Sequence, residues 1–486
     1  MLNLRNLNLT PKTERVFRIF EEISTVPRGS GDRTKIADYC ENFAKKLNLN
    51  YYRDNENNMV IFKAASNGFE NSQPIILQGH LDIVCQKTID RNIDFLNDPL
   101  KIYRDGDFIT ADGTTLGADN GIAVAIIMAI LEDNDISHPP IEAVFTADEE
   151  IGLLGASALD KSVLTAKRMI NLDSEEEDIL TVSCAGGNDV TLNIPISKKS
   201  KNGQLLTLNI KGLIGGHSGV EIHKNRTNAN VLMGKLLKEL KENIDFNIIS
   251  IDGGTKPNAI PNSCSAKICT GDKEKALLWL QNFETLYLYS VKQNEPDCCL
   301  EVQKGNNKDY LCFDYKSTEK IINFLTTSPN GVIKMSNDIE GLVETSLNLG
   351  IVSTNENIIT AHFALRSSKE SELKNLTEQI INIGKKVEAA TSVNGFYPPW
   401  EYNSVSPLRE LYKNCYKEQY GKEIKVEAIH AGLECAVFAS SVTGLDCISV
   451  GPNIFDVHTT NERLSISSTE RFYKLLLNVL KKCCEI

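Results

Sequence analysis

Ile141-Glu-Ala-Val-Phe-Thr-Ala-Asp148-Glu149-Glu150-Ile-Gly152 is an apolar, β-favouring run that gives out into three consecutive acids and a glycine. Its first six residues predict a buried strand. Carboxylates crowded at a strand end raise one another's pKa unless cations neutralise them. A solvated acidic turn is the other reading of this stretch taken alone. Working outward, residues 59–62 and 74–77 are strand-like, and residues 168–172 form another apolar strand. Residues 122–131 are apolar on all sides, as a helix packed on a sheet would be, and residues 11–48 show helical spacing. This alternation predicts an α/β domain with a mixed, mostly parallel sheet flanked by helices.

The pattern changes near residue 187. Residues 190–390 hold longer polar helices (273–292 and 369–389) and amphipathic strands (205–210 and 358–366). Each half has strands and a long helix, which reads as two related subdomains within an α+β region. Asn394-Gly-Phe-Tyr-Pro-Pro-Trp400 breaks the pattern. After it, residues 433–440 read as a helix and 447–450 as a strand of the first kind. The economical organisation is one α/β domain, residues 1–186 and 400–486, interrupted by an inserted domain at 187–399.

Bulk properties exclude several classes. The 486 residues carry 64 acids against 52 Lys and Arg, a balance of −12. That charge argues against a nucleic-acid binder, which needs a basic face, and against a polybasic membrane-surface protein. The apolar run 122–131 is about half of the ~20 residues needed to span a bilayer. Residues 1–10 break their apolar positions with Asn and Arg, so no signal-peptide core is expected there. Thirteen cysteines without a CxxC pair suggest a reducing compartment. The expectation is a soluble cytoplasmic protein.

Metal-type side chains recur where strands end. In Leu77-Gln-Gly-His80-Leu-Asp82 the i, i+2 spacing puts His80 and Asp82 on one face, the arrangement of a histidine ligand oriented by a carboxylate. Asp119, in Leu116-Gly-Ala-Asp119-Asn-Gly121, precedes the buried helix, where a plain N-cap is its simplest reading alone. Glu149 and Glu150 end the opening strand, Asp173 follows 168–172, and His458 follows 447–450. The acids at 175–178 read as a solvated loop with no role. Ligands of open α/β sheets gather beyond the carboxyl ends of the strands. Two histidines and three carboxylates without cysteine suit Zn²⁺, with Mn²⁺ or Co²⁺ as alternatives. Five ligands exceed one tetrahedral site, so two ions sharing a bridging carboxylate fit better, leaving one acid to move a proton.

These segments together resemble the di-zinc metallopeptidases related to aminoacylases and glutamate carboxypeptidases. The resemblance rests on Gly-His80-Leu-Asp82, Leu-Gly-Ala-Asp119-Asn-Gly, Thr-Ala-Asp-Glu149-Glu150-Ile-Gly, Asn-Leu-Asp173 and Ile-Gly-Gly-His217-Ser-Gly. It continues through Lys256-Pro-Asn258-Ala-Ile-Pro261, Glu344-Thr-Ser-Leu-Asn348-Leu-Gly350, Arg366-Ser-Ser, His430-Ala-Gly-Leu-Glu434-Cys and His458. The resemblance implies a zinc-peptidase-like α/β fold whose inserted α+β domain is a lid. It assigns His80 and Asp173 to one Zn²⁺, Glu150 and His458 to the other, and Asp119 to the bridge. Asp82 would orient His80, and Glu149 would be the general base. His217 would donate to the oxyanion, Arg366 and Asn258 would bind the substrate's carboxylate end, and Glu434 would meet its α-amino group. Read without the resemblance, Glu434 is equally a helix N-terminal carboxylate and Arg366 an exposed strand-end cation.

The implied activity is hydrolysis of dipeptides with broad specificity, including Xaa-His dipeptides. An N-acyl amino acid deacylase or a tripeptidase would use the same site. Relatives with shorter lids dimerise and lend the lid histidine to the neighbour. This lid is about twice that size, so His217 is expected to act within its own chain, in a monomer or a homodimer. Thr459-Thr-Asn-Glu462, Pro399 and Ala436 depart from the usual pattern without removing a ligand.

Overall fold

The computed structural model describes residues 7 and 9–484. The expectation for residues 1–10 falls mostly outside them. Two compact units result: residues 1–184, 402–428 and 433–486 form the first, and residues 185–401 with 429–432 form the second. The sequence places the divisions at 186/187 and 399/400 and assigns 429–432 to the first unit. The structure moves both boundaries by two residues and puts that short segment, which includes His430, in the second.

In the first unit an eight-stranded sheet runs in the order Asn50–Arg53, Met59–Lys63, Ile141–Thr146, Ile75–His80, Arg168–Asn171, Asp446–Ser449, Ile179–Cys184, Lys425–Ile429. The four strands from Ile141–Thr146 to Asp446–Ser449 are parallel to one another, while Asn50–Arg53, Met59–Lys63 and Ile179–Cys184 join them through antiparallel pairings. Ile75–His80, Ile141–Thr146 and Arg168–Asn171 are buried at every position, as expected of strands covered on both faces. Their registers align the carboxyl ends: His80 faces Thr146, and Asn171 faces both Gln78 and Ser449. The loops that follow therefore emerge along one edge. The helix Ala118–Glu132 is buried almost throughout and packs on Ile75–His80 and on the helix Pro11–Ser24. Among the described residues no helix is long and apolar enough to cross a membrane.

The second unit is built on a nine-stranded antiparallel sheet. In place of two separate subdomains there are two halves of one sheet, joined where Gly253 faces Val352. A large hydrophobic core runs from Val190 to Val387 beneath the helices Ala229–Asn243, Tyr315–Thr327 and Glu370–Lys386.

Candidate metal centre

The aligned strand ends bring the five expected ligands together. Ligand atoms of His80, Asp119 and Asp173 lie within 4.8 Å of one another, as do those of Asp119, Glu150 and His458. Asp119 stands between the histidines: its Oδ1 is 3.1 Å from His80 Nε2 and its Oδ2 is 3.0 Å from His458 Nε2. Glu150 Oε1 is 2.9 Å from the same His458 nitrogen. Glu149 shares a third group with His80 and Glu150.

Charge in this cluster is unbalanced. Burial works against a charged His80, yet Asp173, Asp119 and Asp82 outweigh it and push the imidazole well above its ordinary range. Hydrogen bonding to Asp119 and Glu150 pushes His458 up to about 11. Burial, then the neighbouring Asp119 and Glu150, raise Asp173 to about 6 against the pull of His80. Burial also drives Glu149 well above the carboxylate range, with Asp173, Glu434 and Glu150 adding to it. Such a donor set calls for positive charge at its centre, and oxygen and imidazole donors on either side of a shared carboxylate fit a pair of divalent ions.

The sequence explains why these groups converge. Asn120 ties three ligand segments: its Oδ1 accepts the His80 N–H at 3.2 Å, its Nδ2 donates to Leu172 O at 2.8 Å, and it adjoins Asp119. Gly79 is required there, because a Cβ would lie 2.5 Å from Asn120 Oδ1. The Asp119 side chain does not cap the helix: its two carboxylate oxygens face His80 and His458, and its extended ψ of 107° marks a kink near the start of Ala118–Glu132. His80 Nδ1 lies 3.1 Å from the Asp82 carbonyl and 3.5 Å from its carboxylate. The Asp82 carboxylate also accepts from Ser30 Oγ (2.8 Å), Glu149 N–H (2.9 Å) and Glu150 N–H (3.3 Å). Asp82 thus holds the Glu149–Glu150 turn as well as His80. Asp148, buried at a left-handed φ of 54°, anchors that turn through the Gly31 N–H at 2.7 Å and an ion pair with Arg33.

The structure locates Glu434 and corrects one expectation. Glu434 opens the helix Glu434–Ser441 but is wholly buried, accepting from Thr146 Oγ1 at 2.6 Å and from Gln78 Nε2. Burial raises it to about 7, and Asp173 and Asp82 reinforce the shift. The acids at 175–178 are not all solvated: Glu177 is buried against Asn453 and the Arg471 guanidinium, which donates at 2.8 and 2.5 Å. Glu175, Glu176 and Asp178 are exposed, as expected.

The remaining expected site residues lie in the second unit. Gly216–His217 pairs with Ala259–Ile260, and the Ser218 N–H donates to the Asn258 carbonyl at 2.9 Å. The histidine is therefore held on a short ladder, and the side chain of Asn258 is exposed. His217 Nδ1 accepts from the Gly219 and Val220 N–H groups at 3.1 and 3.2 Å. An Nδ1 that accepts leaves the proton of the neutral ring on Nε2. Burial, then the positive Arg366, lowers this imidazole below its ordinary range. Arg366, on the strand Ile358–Ser367, donates from Nη1 to Tyr397 Oη at 2.8 Å. Buried His430 meets Ser346 Oγ at 2.7 Å, and burial with Arg366 lowers it to about 3.

Comparison with known proteins decides the family. Residues 76–482 match the model of peptidase family M20/M25/M40. The chain belongs to this family. It is 37% identical to the cytosol non-specific dipeptidase of Escherichia coli (strain K12) over 468 residues, 96% of each chain. The crystal structure of aminoacylhistidine dipeptidase from Vibrio alginolyticus matches it with a TM-score of 0.88 at 32% identity, covering 98% of this chain and 97% of that one. At the level of fold alone, aminopeptidase PepT from Bacillus cereus ATCC 10987 aligns with a TM-score of 0.57 at 16% identity, over 97% of this chain and 98% of its own. This M20-type chain is thus a hydrolase of the peptidase class, with the mixed α/β fold of its relatives.

Two further side chains beside the ligand-bearing turns have no role in the sequence reading, although Glu462 ends the Thr459-Thr-Asn-Glu462 segment quoted there. Arg28 and Glu462 are each 2% exposed and bond only to backbone groups of the ligand-bearing turns. Only their burial and reach, invisible in the sequence, single them out.

Proposed function

We propose that this peptidase is a cytoplasmic di-metal dipeptidase of broad specificity that accepts Xaa-His dipeptides. The observation that carries the reading is Asp119 set between His80 and His458, with Glu149 beside the ligands. His80 and Asp173 would hold one ion and Glu150 and His458 the other, with Asp119 shared; the ions would be Zn²⁺, with Mn²⁺ or Co²⁺ as alternatives. When bound, such ions acidify water and polarise a carbonyl. Glu149 takes the proton from the water that attacks the scissile carbonyl carbon and returns it to the departing amine nitrogen. Its turn is fixed by the Asp82 carboxylate, which keeps the base directed. His217, neutral and protonated on Nε2, donates to the carbonyl oxygen as negative charge develops there.

Arg366 presents a planar fork suited to the C-terminal carboxylate, with Asn258 beside the His217 ladder as a second contact. Glu434 is assigned to the α-ammonium group, which its raised carboxyl would meet only on giving up its proton. The partner is the dipeptide, and the protein works as a monomer or homodimer with His217 acting in its own chain.

A panel of Ala-His, β-Ala-His, unrelated dipeptides, tripeptides and N-acetyl amino acids, measured on metal-reconstituted protein, tests this. Turnover of dipeptides ahead of the other two classes is expected. Preferential release of acetate would replace the reading with a deacylase, and preferential cleavage of tripeptides with a tripeptidase.

A further inference from the structure

We propose that Arg28 and Glu462 are positioning residues that set the turns carrying His80 and Asp119 into ligand geometry from outside the ligand set. This inference rests on the two-ion reading of the site. Glu462 Oε2 accepts the N–H groups of Leu116 and Gly117 at 2.8 and 3.0 Å, and its Oε1 accepts those of Ala118 and Asp119 at 2.8 and 3.3 Å. Those donors open the buried helix, where backbone N–H groups lack partners within the helix. One carboxylate satisfies them and fixes the backbone of the shared ligand. Because Glu462 follows His458 by four residues, one short segment supplies a ligand and shapes the turn of another. Thr110 Oγ1 donates to the Glu462 carbonyl at 2.8 Å and steadies that segment.

Arg28 makes the matching connection to the first turn. Its Nη1 donates to Leu81 O at 3.1 Å and its Nη2 to Gly117 O at 2.5 Å. Leu81 separates His80 from Asp82, and Gly117 lies two residues before Asp119. The guanidinium fills space that two glycines leave open, since a Cβ on Gly117 or Gly121 would stand 2.8 or 2.4 Å from Nη2. A buried cation beside two divalent ions would weaken their binding unless it were neutralised. Glu462 supplies that countercharge, so the pair adds rigidity without adding net charge.

The test uses the full-length chain, freed of metal and titrated with Zn²⁺ by calorimetry, with Co²⁺ absorption spectra recorded in parallel. Wild type is expected to bind two ions. In Glu462→Gln and Arg28→Lys, affinity for the two ions that share Asp119 is expected to fall roughly 10–100-fold with an altered Co²⁺ spectrum. Their kcat should drop at metal levels that saturate wild type and recover as metal is raised, with KM little changed. Lysine keeps the charge but cannot span both carbonyls. Should Glu462→Gln fail to fold, Arg28→Lys and Thr110→Val carry the same measurement. Wild-type affinity and spectrum in the folded variants, with only a lowered Tm, would mean a merely structural role and overturn the proposal. A wild-type chain that takes up no divalent ion overturns the two-ion reading itself, and this inference with it.

Discussion

In the first unit, carboxylates surround His80 and His458 and push both imidazoles above their ordinary range, against burial in the case of His80; in the second, burial and the Arg366 guanidinium push His217 and His430 below it. The same side chain is prepared for opposite work. Where acids dominate, the ring nitrogens point into a place that demands cations. Where a guanidinium dominates, the ring stays neutral and, at His217, keeps a proton on the nitrogen that backbone N–H groups leave free. On the proposed reading, metal binding and hydrogen-bond donation are divided between regions of opposite local charge.

The largest test of this contrast is metal removal. Chelation is expected to abolish turnover and lower Tm, because bound ions stabilise the folded state by roughly 2.7 kcal/mol at a hundredfold excess over Kd. A calorimetric scan in which metal-free protein melts as the loaded form does would break the contrast. Next in size, Glu149→Gln should lower kcat by about 10²–10⁴-fold while metal content stays at the wild-type level. Loss of metal along with activity would make Glu149 a ligand rather than the base. His217→Ala should reduce kcat by about 10²–10³-fold with KM nearly constant, the mark of a donor acting in the transition state. A change confined to KM would assign His217 to ground-state binding instead.

The smallest effect concerns pH. His430 binds its proton at about 3 in the folded state, against an ordinary value of 6.5, so the unfolded chain takes up the proton first on acidification. Its contribution to stability is complete above pH 6.5 and declines as pH falls toward 3, by up to about 1.4 kcal/mol per pH unit. Denaturant melts between pH 7 and 5 should be flatter for His430→Asn than for wild type. Identical slopes would show that His430 does not titrate on unfolding in this range.

Of the expected ligands, His80, Glu150 and Asp173 were legible because each ends or closely follows an apolar strand. His80, Glu150 and Asp173 need only the parallel order of three strands to meet, and that order is implied by strand–helix alternation. What holds them is not local. Arg28 reaches carbonyls 53 and 89 residues away, and Glu462 reaches N–H groups more than 340 residues away. Asp119 was open to reading as an N-cap because its local context suits one, and histidines from distant segments take its carboxylate instead. The burial of Glu177 was hidden for the same reason, since Arg471 lies 294 residues on. In the second unit, antiparallel strands and short turns leave no positional rule for where functional groups fall. Residues 429–432 are too few to carry any periodic signal of the unit to which they belong.

The strand Asp446–Ser449 lies in the sheet between Arg168–Asn171 and Ile179–Cys184, two strands that are neighbours in sequence. Those neighbours must leave a gap that is filled only after more than two hundred further residues have been made. Closing this sheet therefore depends on pairing across that long separation, the kind of non-local contact that slows folding.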